Sequence, residues 1–177
     1  MQNTKIGFLS SCRFENNGII RGALLVTDTQ TKPIEFRVTS PIKPTNFQKT
    51  LYGDLLEEHL AIELLTLPLI EAIKEKPSLI IVREPVFLRV ADKIDIDIVH
   101  IYKENEVQYG ADRKTEQISS LGGKYEPLFI QTAKTIEDRL PELRKRLAEI
   151  FSQRNLLEPF DRVKLACEQV HLQKVGE

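Results

Sequence analysis

An α/β fold with an α+β lean is expected from three observations along the first half of the chain. Three β-leaning segments, 5–14, 19–27 and 34–39, follow one another across short polar turns. A long run of apolar periodicity, Pro44 to Lys76, reads as one helix, and a wholly apolar run, Ser78 to Arg83, comes directly after it. Sequential strands with short connections make an antiparallel meander, and a strand reached across a long helix lies parallel to an earlier one, at the centre of the sheet.

Asn16-Asn17-Gly18 supplies the turn between the first two strands, because these residues tolerate positive φ. In the second strand Ala23-Leu24-Leu25-Val26 is continuous rather than alternating, which predicts burial on both faces. Ile34, Phe36 and Val38 alternate with Glu35, Arg37 and Thr39, so the third strand has one wet face. Thr45 or Asn46 caps the helix, and Leu51, Leu55, Ile62, Leu65, Leu69 and Ile73 form its main stripe. A second stripe, Tyr52, Leu56, Leu60, Leu64 and Leu67, leaves almost no polar face from Leu60 onward, so the helix needs cover on two sides. Pro68 inside this pattern predicts a kink.

Beyond the apolar strand, Pro85 to Val90 reads as a short strand or turn. Ile94 to Tyr102 reads as an edge strand, with Asp95 and Asp97 on its solvated side. A brief strand is expected at Val107 to Tyr109, then a long polar loop to Tyr125. Two helices close the chain, carrying Ile136, Leu140, Leu143, Leu147, Ile150 and Phe151, then Phe160, Val163, Leu165, Ala166, Val170 and Leu172 as buried positions. The division this implies is a core at 1–109, a flexible loop at 110–126 and a helical appendage at 127–177 packing on the core.

Charge excludes some function classes. Twenty-five Lys and Arg against 26 Asp and Glu give no global field to draw in nucleic acid or an anionic membrane. No stretch has the length and apolarity of a signal peptide or membrane span, so a soluble, cytoplasmic protein is expected. Cys12 and Cys167 match no metal or redox spacing, and Cys12 is read as a small core residue. His59 and Glu63 have ligand spacing but lack a third partner, and Asp92, Asp95 and Asp97 read as a solvated strand face. Gly122-Gly123-Lys124 lacks the spaced glycines of a phosphate loop.

The order strand, strand, strand, helix, strand resembles, in topology, the first half of the ribonuclease H-like architecture. Nucleases of that architecture hold divalent metal on carboxylates from the first strand, the first helix and the end of the fourth strand. Lys5 to Phe14 has no acid in its body, so the resemblance recruits Asp28, Glu57 or Glu58, and Glu84, with Mg²⁺ as cofactor. The leading expectation is instead a non-enzymatic accessory subunit, without cofactor, that contacts another protein subunit or a second copy in a larger assembly. Its docking residues are Leu60, Leu64, Leu67 and Phe160, and nucleic acid is a further partner through Arg139, Arg144, Lys145 and Arg146. The metal-dependent nuclease is the alternative.

Overall fold

The computed structural model describes residues 4–106 and 113–175. The expected strand at Val107 to Tyr109 lies outside the described residues. Strands β1 (Ile6–Phe14), β2 (Ile19–Thr27) and β3 (Pro33–Val38) form the antiparallel meander. Glu15, Asn16 and Asn17 all take positive φ, 52°, 55° and 68°, and carry the first turn. The second turn is built by Asp28, whose Oδ1 accepts from the N–H groups of Gln30 and Lys32 at 2.8 and 2.9 Å.

Strand β4 (Leu79–Val82) is fully buried and parallel to β1, and β5 (Asp97–Lys103) is parallel to β4. The sheet continues through two short strands, β6 (Glu116–Ile118) and β7 (Leu128–Gln131), giving seven strands in the order β3-β2-β1-β4-β5-β7-β6. Two expectations are corrected here. Strand β5 is interior rather than an edge, because β7 pairs along its far side. The expected loop contributes β6, and the expected appendage begins with a core strand.

The run from Pro44 is several helical pieces rather than one rod. Thr45 caps α1 (Asn46–Tyr52) in a capping box with Gln48, and a 3₁₀ turn at Gly53–Leu55 leads into α2 (Leu56–His59). A π-helical segment, Leu60–Thr66, then runs into α3 (Leu67–Ala72). Pro68 has no N–H to give to Leu64, and its ring crowds that carbonyl. The turn ahead of it widens, and the Leu67 N–H bonds to the carbonyl of Ile62, five residues back.

This segment covers one face of the sheet with Ile62, Leu69 and Ile73, over Leu9, Leu24, Val26, Ile80 and Val82. Its second cover comes from the 3₁₀ segment Pro85–Lys93, which inserts Phe87, Leu88 and Val90. The two C-terminal helices, α4 (Leu140–Phe151) and α5 (Glu158–Val175), lie on the opposite face, over Phe8, Leu79, Ile81, Val99 and Ile130. Docking through Leu60 and Phe160 is therefore corrected. Leu60 is 3% exposed, and Phe160 sits edge-on to Phe8 at 5.4 Å between ring centroids. Leu64 and Leu67 are half-buried, while the apolar side chains left open are Phe47, Leu51 and Leu55, one turn and more earlier. Leu165 and Leu172, expected inside, point outward at 58% and 68% exposure.

Helix α3 ends at Ala72 because Ile73 is extended, and the next two N–H groups, of Lys74 and Glu75, are collected by the Glu35 carboxylate at 3.0 and 2.8 Å. Burial raises the Glu35 carboxyl, but these N–H groups and Arg37 outweigh it and hold it below its ordinary 4.5. A carboxyl lowered on folding stabilises above its unfolded value and loses that contribution as pH falls through its folded value. Acid titration of stability is thus expected to show a loss beginning below about pH 4.5 that is shallower in Glu35→Gln, read by urea midpoints between pH 2.5 and 6.

Candidate functional site

In the register of β1 against β4, Leu9 faces Val82, so two residues further on Ser11 comes level with Glu84. Strand β4 stops at Val82 because Pro85 cannot continue a ladder and holds Glu84 extended before it. Ser11 is thereby left with a backbone N–H that has no ladder partner. The Glu84 carboxylate takes it. Its Oε1 accepts from the Ser11 N–H at 2.8 Å, and its Oε2 from the Ser11 hydroxyl at 2.5 Å. The Ser10 hydroxyl adds a longer contact of 3.4 Å to Oε1.

The face of β1 that carries Ser11 also carries Arg13, which pairs with Glu57 of α2 at 2.7 Å. Glu58, next to it, reaches Arg89 at 3.8 Å. On the other side of Glu84, Arg83 forks onto Glu106 at 2.9 and 2.8 Å and donates to the Ile101 carbonyl. Burial raises the Glu106 carboxyl, but this fork and the Lys103 N–H outweigh it and hold it below its usual range. Deeper in the sheet burial lowers the pKa of His100, with Gln131 at 3.3 Å and the Tyr102 ring stacked at 5.1 Å.

The carboxylates recruited from the sequence do not meet. Asp28 follows Thr27, which pairs with Ile6, five residues of extended chain from Ser11, or about 17 Å. It builds a turn at the far end of the sheet. Glu58 and Glu84 flank the same end, but each is held by other partners. Among the described residues no three His, Cys, Asp or Glu side chains come close enough to hold one metal ion. His59 stacks on Tyr52 at 4.3 Å, and Glu63 pairs with Lys93 at 2.5 Å.

The cations of α4, and Arg139 just before it, lie away from Glu84. Arg139 pairs with Asp97 at 2.9 Å and Arg146 donates to Ser78, both at the amino ends of the parallel strands. Arg144 donates to the Gln117 carbonyl within β6, and Lys145 is exposed. Sequence reasoning missed Ser11 and Arg13 as neighbours of the acids. The one local signal was the polar pair Ser10-Ser11 interrupting an otherwise mostly apolar strand.

No protein-family model and no curated protein matches the sequence. Solved structures do. Endonuclease V of Ciona intestinalis, bound to a 24mer DNA containing an inosine followed by a ribo-adenosine, matches 97% of this chain and 87% of its own, with TM-score 0.62 at 12% identity. Endonuclease V of Bacillus subtilis matches 98% of this chain and 84% of its own, with TM-score 0.60 at 12% identity. The fold is ribonuclease H-like.

At this identity the likeness is one of fold. It nevertheless corrects the accessory-subunit reading, which rested on the absence of a catalytic constellation beside a surplus of helix hydrophobicity. The chain covers Leu60 to Ile73 with its own sheet and its Pro85–Lys93 segment, and the two solved structures named above, which share its fold, are each an endonuclease V. Within the fold, the departure is in β1. Its helix-facing positions are Gly7, Leu9, Ser11 and Arg13, with no acid among them. No helix among the described residues is long and apolar enough to cross a membrane.

Proposed function

We propose that the protein acts on nucleic acid as a metal-dependent nuclease of the ribonuclease H-like class, with Glu84 as the carboxylate that holds a single divalent cation. The observation that carries this is the position of Glu84, half-buried beyond the carboxyl ends of two adjacent parallel strands, where open α/β sheets bind their ligands. A two-metal centre does not fit the described residues, since it needs more carboxylates than one. A single Mg²⁺ or Mn²⁺ fits. Such ions take one or two carboxylates, keep several waters and complete their shell with substrate phosphate.

An ionised carboxylate offers about four lone-pair positions. Ser11 occupies one on each Glu84 oxygen and fixes the group's orientation, as hydrogen-bonded ligands of metal sites require. A cation held there by Glu84 would supply Lewis-acid polarisation of a phosphodiester. Arg13, two residues along the same face, is placed to exchange Glu57 for a backbone phosphate.

Incubation with single- and double-stranded DNA, RNA and inosine-containing strands, in Mg²⁺ or Mn²⁺, tests the reading. Metal-dependent cleavage is expected, reduced about 100-fold or more in Glu84→Gln with binding in gel shift preserved. Failure of the native protein to cut any of these substrates overturns it.

A further inference from the structure

On the sheet face away from Glu84, two cysteines distant in sequence come together. Cys12 of β1 and Cys167 of α5 are both buried and both free, and they share one buried cluster where α5 lies along β1, between the Phe8–Phe160 and Phe14–His171 ring contacts. Arg21 is the cross-strand partner of Cys12 on β2, and His171 is one helical turn beyond Cys167 on α5. These four side chains make a square between sheet and helix. The Arg21 Nε–H donates to His171 Nδ1 at 3.1 Å, its Nη1 donates to the Thr39 carbonyl at 3.3 Å, and Phe14 stacks on the His171 ring at 3.9 Å.

Arg21 is fully buried, and its Nη2 has no hydrogen-bond partner among the described residues. A desolvated guanidinium requires an anion. His171 and Thr39 offer it only neutral acceptors. Glu168, next to Cys167, acts on both thiols from outside the square, and the group within it that can supply negative charge is a thiolate. We infer that Cys12 and Cys167 form a peroxide-oxidisable dithiol, with Cys167 the attacking sulfur, Arg21 its buried counter-cation and Cys12 the resolving thiol.

The electrostatics agree in direction. The hydrogen bond from Cys12, with the Arg21 charge, holds Cys167 below the ordinary thiol range against its burial, and Cys12, giving that hydrogen bond in a buried site, is pushed up. The chemistry balances with a hydroperoxide as oxidant. The Cys167 thiolate attacks one oxygen of hydrogen peroxide, the O–O bond breaks, and hydroxide leaves a sulfenic acid. Cys12 sulfur then attacks the sulfenyl sulfur, displacing hydroxide, and its proton converts hydroxide to water. The hydroxide released in the first step takes up the proton that Cys167 lost on ionising, so two thiols and one peroxide become one disulfide and two waters. The disulfide ties α5 to β1 at the residue beside Ser11, which orients Glu84.

This inference stands apart from the nuclease reading, and its test does not use activity. The reduced, folded protein is treated with hydrogen peroxide in slight excess and followed by intact mass and peptide mapping. The expected result is loss of two hydrogens with Cys12 linked to Cys167 in the same molecule. Cys12→Ser is expected to accumulate a sulfenic acid at Cys167 that dimedone captures. Arg21→Lys, which keeps the charge, is expected to react within about threefold of the native rate, and Arg21→Met about tenfold more slowly. Oxidation only between molecules, or none until denaturant is added, overturns the inference, as does dimedone labelling at Cys12 in place of Cys167.

Discussion

Replacing Gly22 by valine is expected to destabilise the protein by about 3 kcal/mol or more. Gly22 lies in the middle of β2, paired with Ser11, and its N–H and carbonyl are both engaged by Thr39, at 2.9 Å each. The π-helical segment rests directly on it. A Cβ at this position would stand 2.8 Å from Leu65 Cβ, 3.2 Å from Leu69 Cδ1 and 3.3 Å from Leu65 Cδ2. The first of these atoms is fixed to the helix backbone, so relief requires the segment to lift from the sheet rather than a rotamer to change. Leu65 is completely buried, and lifting it opens the core.

Gly22→Ala removes some chain entropy from the unfolded state but meets the same contact, and is expected to cost about 1–3 kcal/mol. Urea denaturation of the two variants measures this. A valine variant within 1 kcal/mol of the native protein would show that the helix does not ride on β2 as described.

The same contact shows why parts of the fold were legible in the sequence and others were not. The meander, the apolar helix and β4 were readable because their signals are local: alternation, helical spacing, and turn residues such as Asn16 and Asn17. Strand β5 was misread as an edge because its cover, β7 and β6, consists of four and three residues set among polar ones, and pairing at long range leaves no local period. That the long helix needs cover on two sides was readable, but the source of the second cover was not, because periodicity reports how much apolar surface exists, not which later segment returns to it. Glu84 was visible as an acid closing an apolar strand. Ser11 was not, since only the parallel register brings it level with Glu84. Asp28 failed as a companion for a topological reason: β2 runs back along β1, so its carboxyl end and that of β4 lie at opposite ends of the strands. Cys12 and Cys167 meet only because α5 crosses β1, which no spacing rule encodes.

Phe87→Ala is expected to have the other large effect, a loss of about 3–5 kcal/mol. Phe87 is fully buried in the segment Pro85–Lys93, where with Leu88 and Val90 it packs on the same cluster as Ala61, Ile62 and Leu69. A 3₁₀ segment has poor hydrogen-bond geometry, so side-chain burial is what keeps it in place. Truncating the ring leaves a cavity between this segment and the π-helical one, and loosens the chain immediately after Glu84. Leu55→Ala is the contrast. Leu55 is as apolar and lies on the same helical run, but it is 64% exposed, and its loss is expected to change stability by less than about 0.5 kcal/mol. The two variants measured side by side by urea denaturation locate where the helix's apolar surface is covered. A large effect at Phe87 with none at Leu55 places that cover within the chain itself, whereas near-equal small effects would detach Pro85–Lys93 from the core and take from Glu84 the support that fixes its position.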